Sequence, residues 1–121
     1  MSLTDLELSY NHFTDSIPPS IGSMRYLKAL YLNNNNLSGS IPTEIGKLMS
    51  LTDLELSDNW FTGSVPPSID NLCNLSILYL HRNNISSSIP VKIGNLMSLT
   101  DLELSYNHFT SSIPPPIGSM Q

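Results

Sequence analysis

Apolar and polar positions follow one pattern that returns five times along the chain with a period of 24 residues. Leucines occupy positions 4 and 6 of every unit and are separated by a Glu or a Tyr. Because the side chains of a strand alternate between its two faces, this spacing predicts a short β-strand with one buried face. The units begin at Leu3, Leu27, Leu51, Leu75 and Leu99, and the last is one residue short.

A strand of this kind cannot bury its leucines within a single 24-residue unit, so neighbouring units are expected to stack. Stacking places equivalent strands side by side in the same direction, which predicts a parallel sheet. An Ile-Pro or Val-Pro pair follows at positions 15 and 16. Because proline has no amide donor, the return path beyond it is predicted to be irregular or 3₁₀-helical.

Position 9 is asparagine in all five units, and we interpret this column as a buried structural ladder. A buried amide must be hydrogen-bonded, and one Asn in each turn can bond the loop backbone beside it. Loss of one such residue is predicted to orphan backbone groups at a cost of about 1–3 kcal/mol. The ladder consists of Asn11, Asn35, Asn59, Asn83 and Asn107.

The pattern L-x-x-L-x-L-x-x-N-x-L, with tails such as SGSIPTEIGKL at residues 38–48, resembles plant-type leucine-rich repeats. Such repeats form the ectodomains of receptor-like kinases and receptor-like proteins, and polygalacturonase inhibitors. The resemblance implies an α/β repeat solenoid, a right-handed superhelix with a parallel β-sheet on the concave face and irregular or 3₁₀ convex segments. It implies one leucine-rich-repeat domain over residues 1–121, with units 3–26, 27–50, 51–74, 75–98 and 99–121.

Two columns depart from the repeat pattern of that subclass. Position 20, usually glycine, is Asp70 in the third unit, where a left-handed backbone conformation is expected to be tolerated. Position 13 is also usually glycine, and here it is filled by Asp15, Gly39, Gly63, Ser87 and Ser111. Neither departure is expected to change the fold.

Solenoids need terminal caps, and extracellular members of this family usually close with paired cysteines. The chain has one cysteine, and Met1 and Ser2 match interior positions of the other units. We therefore interpret the chain as a segment of a longer ectodomain. Association of uncapped units end to end is the alternative, since an open strand edge invites pairing.

Composition narrows the classes of partner. Only five residues are Lys or Arg and the formal net charge is −5, which excludes a basic face for nucleic acid. No apolar run approaches the roughly 20 residues that span a bilayer. Hydrophobic residues make up 40% of the chain and are periodically placed, which argues against disorder.

Function is expected in the columns that packing leaves free, which are positions 3, 5, 7, 8 and 10 on the concave side. Odd units carry acids at positions 3 and 5, and even units carry apolar or aromatic residues. Aromatic side chains are typical interface anchors, and the acids would select a basic partner. The alternative is a solvated sheet whose pattern was inherited by duplication. The predicted ligand-binding residues are Asp5, Glu7, Tyr31, Glu55, Asp58, Trp60, Tyr79, Arg82 and Glu103.

Within this set, Asp58, Trp60 and Arg82 form the least repetitive group, which favours a binding spot there. Trp60 could equally cover the sheet edge by simple packing. We predict a non-enzymatic module that recognises a protein, peptide or small ligand, as the resemblance to receptor-like and defence proteins implies.

Positions 12 and 14 are Ser or Thr in every unit. A regular hydroxyl lattice on a rigid solenoid could order water, so an ice-binding or structural role is an alternative function. The simpler interpretation is a second short strand.

Three sequons, at Asn36, Asn74 and Asn84, could be N-glycosylated and fit an extracellular or cell-surface location. Glycans at Asn36 and Asn84 would crowd the concave rim beside Trp60. Such triplets also arise by chance in an Asn- and Ser-rich chain, so an intracellular leucine-rich-repeat scaffold is a further alternative.

No catalytic, metal or cofactor site is predicted. Cys73 is expected at a half-buried position, and His81 on the opposite face of the sheet, where it cannot act as a base for the thiol. His12 and His108 are four strands apart, about 19 Å, which is too far to share a metal ion.

Overall fold

The leucine at position 4 of each unit is the central residue of one short strand of a parallel sheet, and the leucine at position 6 follows the strand. The computed structural model describes residues 3–110, in which one or two short strands separate successive 3₁₀ helices. The strands are β1 (Asp5–Glu7), β2 (Ala29–Tyr31), β3 (Ser38–Ser40), β4 (Asp53–Glu55), β5 (Trp60–Thr62), β6 (Ile77–Tyr79) and β7 (Asp101–Glu103). The 3₁₀ helices are η1 (Pro19–Ser23), η2 (Thr43–Lys47), η3 (Pro67–Asn71) and η4 (Val91–Asn95).

The main sheet has five parallel strands in the order β1-β2-β4-β6-β7. Its register pairs each leucine at position 4 with the same position of the next unit, as in Leu30 with Leu54 and Leu54 with Leu78. These three side chains are fully buried, as is Phe61 from position 11 of the third unit. The predicted parallel sheet is confirmed, and its inner face supplies the core.

The convex return path is formed by the four 3₁₀ helices. Each one follows a proline, as Pro42 precedes η2, and the amide of Ile45 donates to the carbonyl oxygen of Pro42 at 3.1 Å. Ile45 itself is fully buried against the leucines of the sheet. The irregular or 3₁₀ return path predicted from the proline column is therefore confirmed. No helix among residues 3–110 has the length and apolar character needed to cross a membrane.

A second, two-stranded ladder lies where the Ser and Thr columns run. Strands β3 and β5 pair in parallel, with Ser38 opposite Trp60 and Ser40 opposite Thr62. The pairing joins position 12 of one unit to position 10 of the next, so it is displaced by two residues from the main register. The short strand expected at the hydroxyl columns is present in the second and third units.

The structure separates the roles of the two glycine columns. Position 13 has a left-handed backbone in all four units where it is described, with φ of 74° at Gly39, 66° at Asp15 and 65° at Ser87. Within residues 3–110, position 20 does not, and Asp70 does not adopt the left-handed conformation that its type would tolerate, because it belongs to the 3₁₀ helix η3. Glycine at position 20 instead permits close approach of neighbouring units, since a Cβ on Gly46 would lie 2.6 Å from the carbonyl oxygen of Ser68.

Candidate ligand-binding surface

The asparagine column fixes the turn that follows each strand of the main sheet. The side-chain amide of Asn59 donates to the carbonyl oxygens of Leu32 at 2.9 Å, Ser57 at 3.2 Å and Leu56 at 3.3 Å. Its side-chain oxygen accepts the amide of Leu37 at 3.0 Å. One asparagine therefore bonds two consecutive units, and it holds in place the residues on either side of it.

The residue before each ladder asparagine has a left-handed backbone. The φ angles at this position, position 8, lie between 56° and 59°, and the turns bond to one another through amides such as Asp58 to the carbonyl oxygen of His81 at 3.0 Å. The residues at this position are Tyr10, Asn34, Asp58, Arg82 and Tyr106. Their repeated conformation brings position 8 of one unit beside positions 8 and 10 of its neighbours.

The predicted trio Asp58, Trp60 and Arg82 comes together in a cleft beside the ladder, which we call the lateral cleft. Its volume is about 380 Å³, within the range of ligand clefts. Tyr106 and Asn84 also line the cleft. Trp60 is 59% exposed, so it does not cover the sheet edge by packing.

Arg82 makes weak contacts within the cleft. Its Nη1 lies 3.9 Å from Oδ1 of Asp58, and its guanidinium carbon lies 5.2 Å from the ring centroid of Tyr106. The Arg82 side chain is 62% exposed, and exposed ion pairs contribute only about 0–1 kcal/mol. The guanidinium group can therefore exchange these partners for those of a ligand at little cost.

The centre of the concave sheet is acidic and partly shielded from water. The hydroxyl of Tyr31 donates to Oδ2 of Asp53 at 2.8 Å. Burial, followed by the charges of Glu7 and Asp53, raises the pKa of Glu55, and the charge of His81 acts in the opposite direction. At the outer strand, hydrogen bonds from Ser105 lower the pKa of Glu103, with the hydroxyl at 2.7 Å. The pKa of Glu55 is thus raised first by burial and then by the neighbouring acids, whereas that of Glu103 is lowered by hydrogen bonds.

The remaining predicted residues lie along the same face. Glu7 and Asp5 are exposed on β1, and Asp5 is opposite Ala29 in the ladder. Tyr79 is half-buried on β6, where burial and then the charges of Asp101 and Glu55 raise the pKa of its hydroxyl. The acid and tyrosine columns therefore form one face, which we call the acidic sheet.

His81 joins the acidic sheet to the lateral cleft, although the sequence did not indicate it as a site residue. Its ring lies 5.7 Å from that of Tyr79, edge to face, and its Nε2 is 4.0 Å from Oδ2 of Asp58. Its Nδ1 is buried and has no hydrogen-bond partner among the described residues. His81 belongs to position 7, which was expected to face outward. That expectation is wrong for Ser57, which is buried at the same position.

Other sequence-based expectations concern catalysis and modification. Cys73 is exposed, so the expected half-buried position is wrong. No group of three or more His, Cys, Asp or Glu that could hold a metal ion occurs within the described part of the chain. Of the three sequon asparagines, Asn36 and Asn74 are exposed, whereas Asn84 is half-buried in the lateral cleft.

The hydrogen bond between Tyr31 and Asp53 changes the pKa of the Tyr31 phenol. The hydrogen bond to Asp53, with burial and the neighbouring acids, raises the pKa of Tyr31 to about 12. Because the neutral phenol is favoured in the folded chain, the stability it contributes is complete below pH about 10 and is lost as the pH rises through about 12. Asp53→Asn is expected to lower this pKa towards 10, as measured by ultraviolet absorption of ionised tyrosine. The same pKa in both proteins would contradict the assigned cause.

Comparisons with known proteins agree with this architecture. A family model described as a leucine-rich repeat region matches residues 2–117. Receptor-like protein 50 of Arabidopsis thaliana is 46% identical over 46 residues, which are 38% of this chain and 5% of that protein. The chain therefore spans only a small part of the curated relative that it matches.

Solved structures resemble the chain over nearly its whole length. A structure of a TDR receptor has a TM-score of 0.95 at 39% identity, over 98% of this chain and 20% of that one. The plant peptide hormone receptor RGFR1, in complex with RGF2, gives 0.94 at 35% identity, over 98% of this chain and 19% of that one.

A plant ice-binding protein is also similar, with a TM-score of 0.91 at 34% identity over 97% of this chain and 38% of that one. Receptors and an ice-binding protein thus share one architecture, so structural similarity alone does not distinguish ligand recognition from ice binding. Three observations indicate the same family: the match of the family model, the repeat columns and the parallel sheet. The chain belongs to the leucine-rich repeat region family, in the plant-type form seen in receptor ectodomains.

Proposed function

We propose that this chain is a non-enzymatic recognition module that binds a basic peptide or protein segment. The acidic sheet and the lateral cleft form its contact surface, and His81 connects them. The surface belongs to an extracellular or cell-surface protein, as in the receptor-like relative. Support for a peptide ligand comes from the similar plant peptide hormone receptor RGFR1, whose structure was solved in complex with RGF2.

The observation that carries the proposal is the placement of acids from β1, β4 and β7 on one face of the sheet, around Glu55, whose pKa is raised by burial and then by its acidic neighbours. The two charges that raise it after burial are those of Glu7, which lies on β1 two strands away, and Asp53, which lies on the same strand β4. A positively charged side chain placed over these carboxylates would relieve their repulsion, whereas an acidic one would add to it. In the chain without glycans, the exposed ring of Trp60 offers an additional apolar anchor beside this charge.

Selection of a random peptide library displayed on phage tests the proposal. The target is the full chain made in bacteria, without glycans, and an enriched peptide is then synthesised. We expect enriched peptides to carry net positive charge, and Glu55→Gln to weaken binding of the synthetic peptide by about tenfold. Fluorescence of Trp60 reports binding, because it is the only tryptophan in the chain.

Glu44→Gln is the matched control, because Glu44 belongs to the convex helix η2 and not to the acidic sheet. It is expected to leave the affinity unchanged. Since a basic ligand lowers the pKa of Glu55, binding should release protons and weaken as the pH falls. Enrichment of acidic peptides, or equal affinity of the two variants, would overturn the proposal.

A further inference from the structure

Asn84 lies in the lateral cleft and is also the asparagine of a sequon, Asn84-Ile85-Ser86. It shares the cleft with Trp60, which stands at position 10 of the preceding unit. Ser or Thr occupies position 12 in every unit, but only the even units have asparagine at position 10. The sequon at Asn84 therefore arises beside the single tryptophan of the chain.

The side-chain amide of Asn84 is free to be modified, whereas that of Asn83, the ladder asparagine beside it, is held by hydrogen bonds. Asn83 donates to the carbonyl oxygens of Leu56 at 3.0 Å and Leu80 at 3.2 Å. Within residues 3–110, no such hydrogen bond holds the side chain of Asn84. Its backbone amide is fixed, since it donates to the carbonyl oxygen of Phe61 at 2.8 Å. A free side chain thus projects from a fixed backbone next to an exposed indole.

We propose that Asn84 carries an N-linked glycan whose first N-acetylglucosamine packs on Trp60 and occupies the lateral cleft. The proposal rests on the extracellular location included in the proposed function. In the transfer, Nδ2 of Asn84 forms a bond to the anomeric carbon of a lipid-linked oligosaccharide diphosphate. The bond from that carbon to the diphosphate oxygen breaks, the lipid diphosphate leaves, and the amide gives up one proton.

The lining of the cleft suits a sugar ring. A pyranose ring has a face of C–H groups, which packs on an aromatic ring, and a rim of hydroxyls, which needs hydrogen-bond partners. Trp60 supplies the exposed aromatic face. Asp58 and Arg82 supply an acceptor and donors in the same cleft, and their mutual contact at 3.9 Å is loose enough to be replaced.

A glycan in this place divides the contact surface in two. The glycosylated chain then presents the acidic sheet to a peptide, while Trp60 is covered from within the same molecule. Glycosylation at Asn84 therefore determines whether the lateral cleft is open to a ligand.

Acrylamide quenching of Trp60 fluorescence tests this inference in the full chain secreted from a glycosylating eukaryotic host. Ser86→Ala removes the sequon while keeping Asn84, and Ser86→Thr keeps the sequon. We expect a glycan at Asn84 by mass spectrometry of peptides, and quenching about threefold stronger in S86A than in the wild type or S86T. Enzymatic removal of the glycan should have the same effect as S86A.

Asn74→Gln is the control for a glycan placed elsewhere, because Asn74 is exposed and does not line the cleft. It should leave the quenching of Trp60 unchanged. An unmodified Asn84, or a modified Asn84 with quenching equal to that of S86A, would overturn the inference. Free chitobiose that protects Trp60 in a chain unmodified at Asn84 would instead show a site for external sugar. Peptide binding by the unglycosylated chain is measured separately, so failure of either proposal is recognised on its own.

Discussion

Replacing Asn59 by alanine is expected to lower the free energy of unfolding by about 3–5 kcal/mol. The substitution leaves the carbonyl oxygens of Leu32, Leu56 and Ser57 without this donor, and the amide of Leu37 without its acceptor. Asn59 is buried, so water cannot readily replace the lost partners. The loss exceeds the cost expected for one ladder residue from sequence, because this side chain bonds groups of two units at once.

Asn11→Ala is the matched control in the same column. Asn11 is exposed, and among the described residues its side-chain amide donates only to the carbonyl oxygens of Leu8 at 3.0 Å and Ser9 at 3.2 Å. Water can satisfy these groups, so we expect a loss below about 1 kcal/mol. Urea denaturation followed by circular dichroism measures both variants. Equal losses at Asn59 and Asn11 would show that the ladder bonds between units do not stabilise the fold.

Gly46→Ala is expected to lower the free energy of unfolding by about 2–3 kcal/mol, because the added methyl group overpacks the convex side. Its Cβ would lie 2.6 Å from the carbonyl oxygen of Ser68 and 2.7 Å from the Cβ of the same residue. Backbone atoms cannot move aside without displacing η3, and the hydroxyl of Ser68 is held by the carbonyl oxygen of Thr43 at 2.7 Å. Relief of the clash therefore requires separating two stacked units.

Gly22→Ala makes the same chemical change one unit earlier, where the space is larger. Its Cβ would meet Cδ of Lys47 at 3.0 Å and atoms of Glu44 at 3.1 Å and 3.2 Å. The lysine side chain is flexible, so we expect a loss below about 1 kcal/mol. Thermal unfolding of both variants measures the difference. A larger loss for Gly22→Ala than for Gly46→Ala would contradict close approach to Ser68 as the reason for glycine.

Much of the fold could be predicted from the sequence because stacking imposes the same packing requirement on the same positions of every unit. The leucines at position 4 recur every 24 residues, and the sheet pairs them in that register. Glycine was harder to interpret, since it can satisfy either a backbone angle or a lack of space. Asp70 shows the difference, because it occupies a glycine column within a 3₁₀ helix and with no left-handed angle.

The candidate site could be predicted only in part. Exposed columns indicated Asp58, Trp60 and Arg82, and the structure places all three in the lateral cleft. Tyr106 and His81 were missed because their roles depend on distances between units. The contact of Arg82 with Tyr106 and that of His81 with Asp58 each join residues 24 or 23 positions apart in sequence. A repeat pattern identifies which columns face outward but not which neighbours touch.

The left-handed backbone of the residue before each ladder asparagine restricts which amino acids can contribute to the binding surface. At a φ near 57°, residues branched at Cβ are conformational outliers, so valine, isoleucine and threonine are disfavoured at this position. Charge, length and aromatic character can change freely, as Asn34, Asp58, Arg82 and Tyr106 illustrate. Single substitutions in this column can therefore alter the specificity of the cleft while the turn keeps its shape, provided that they use unbranched side chains.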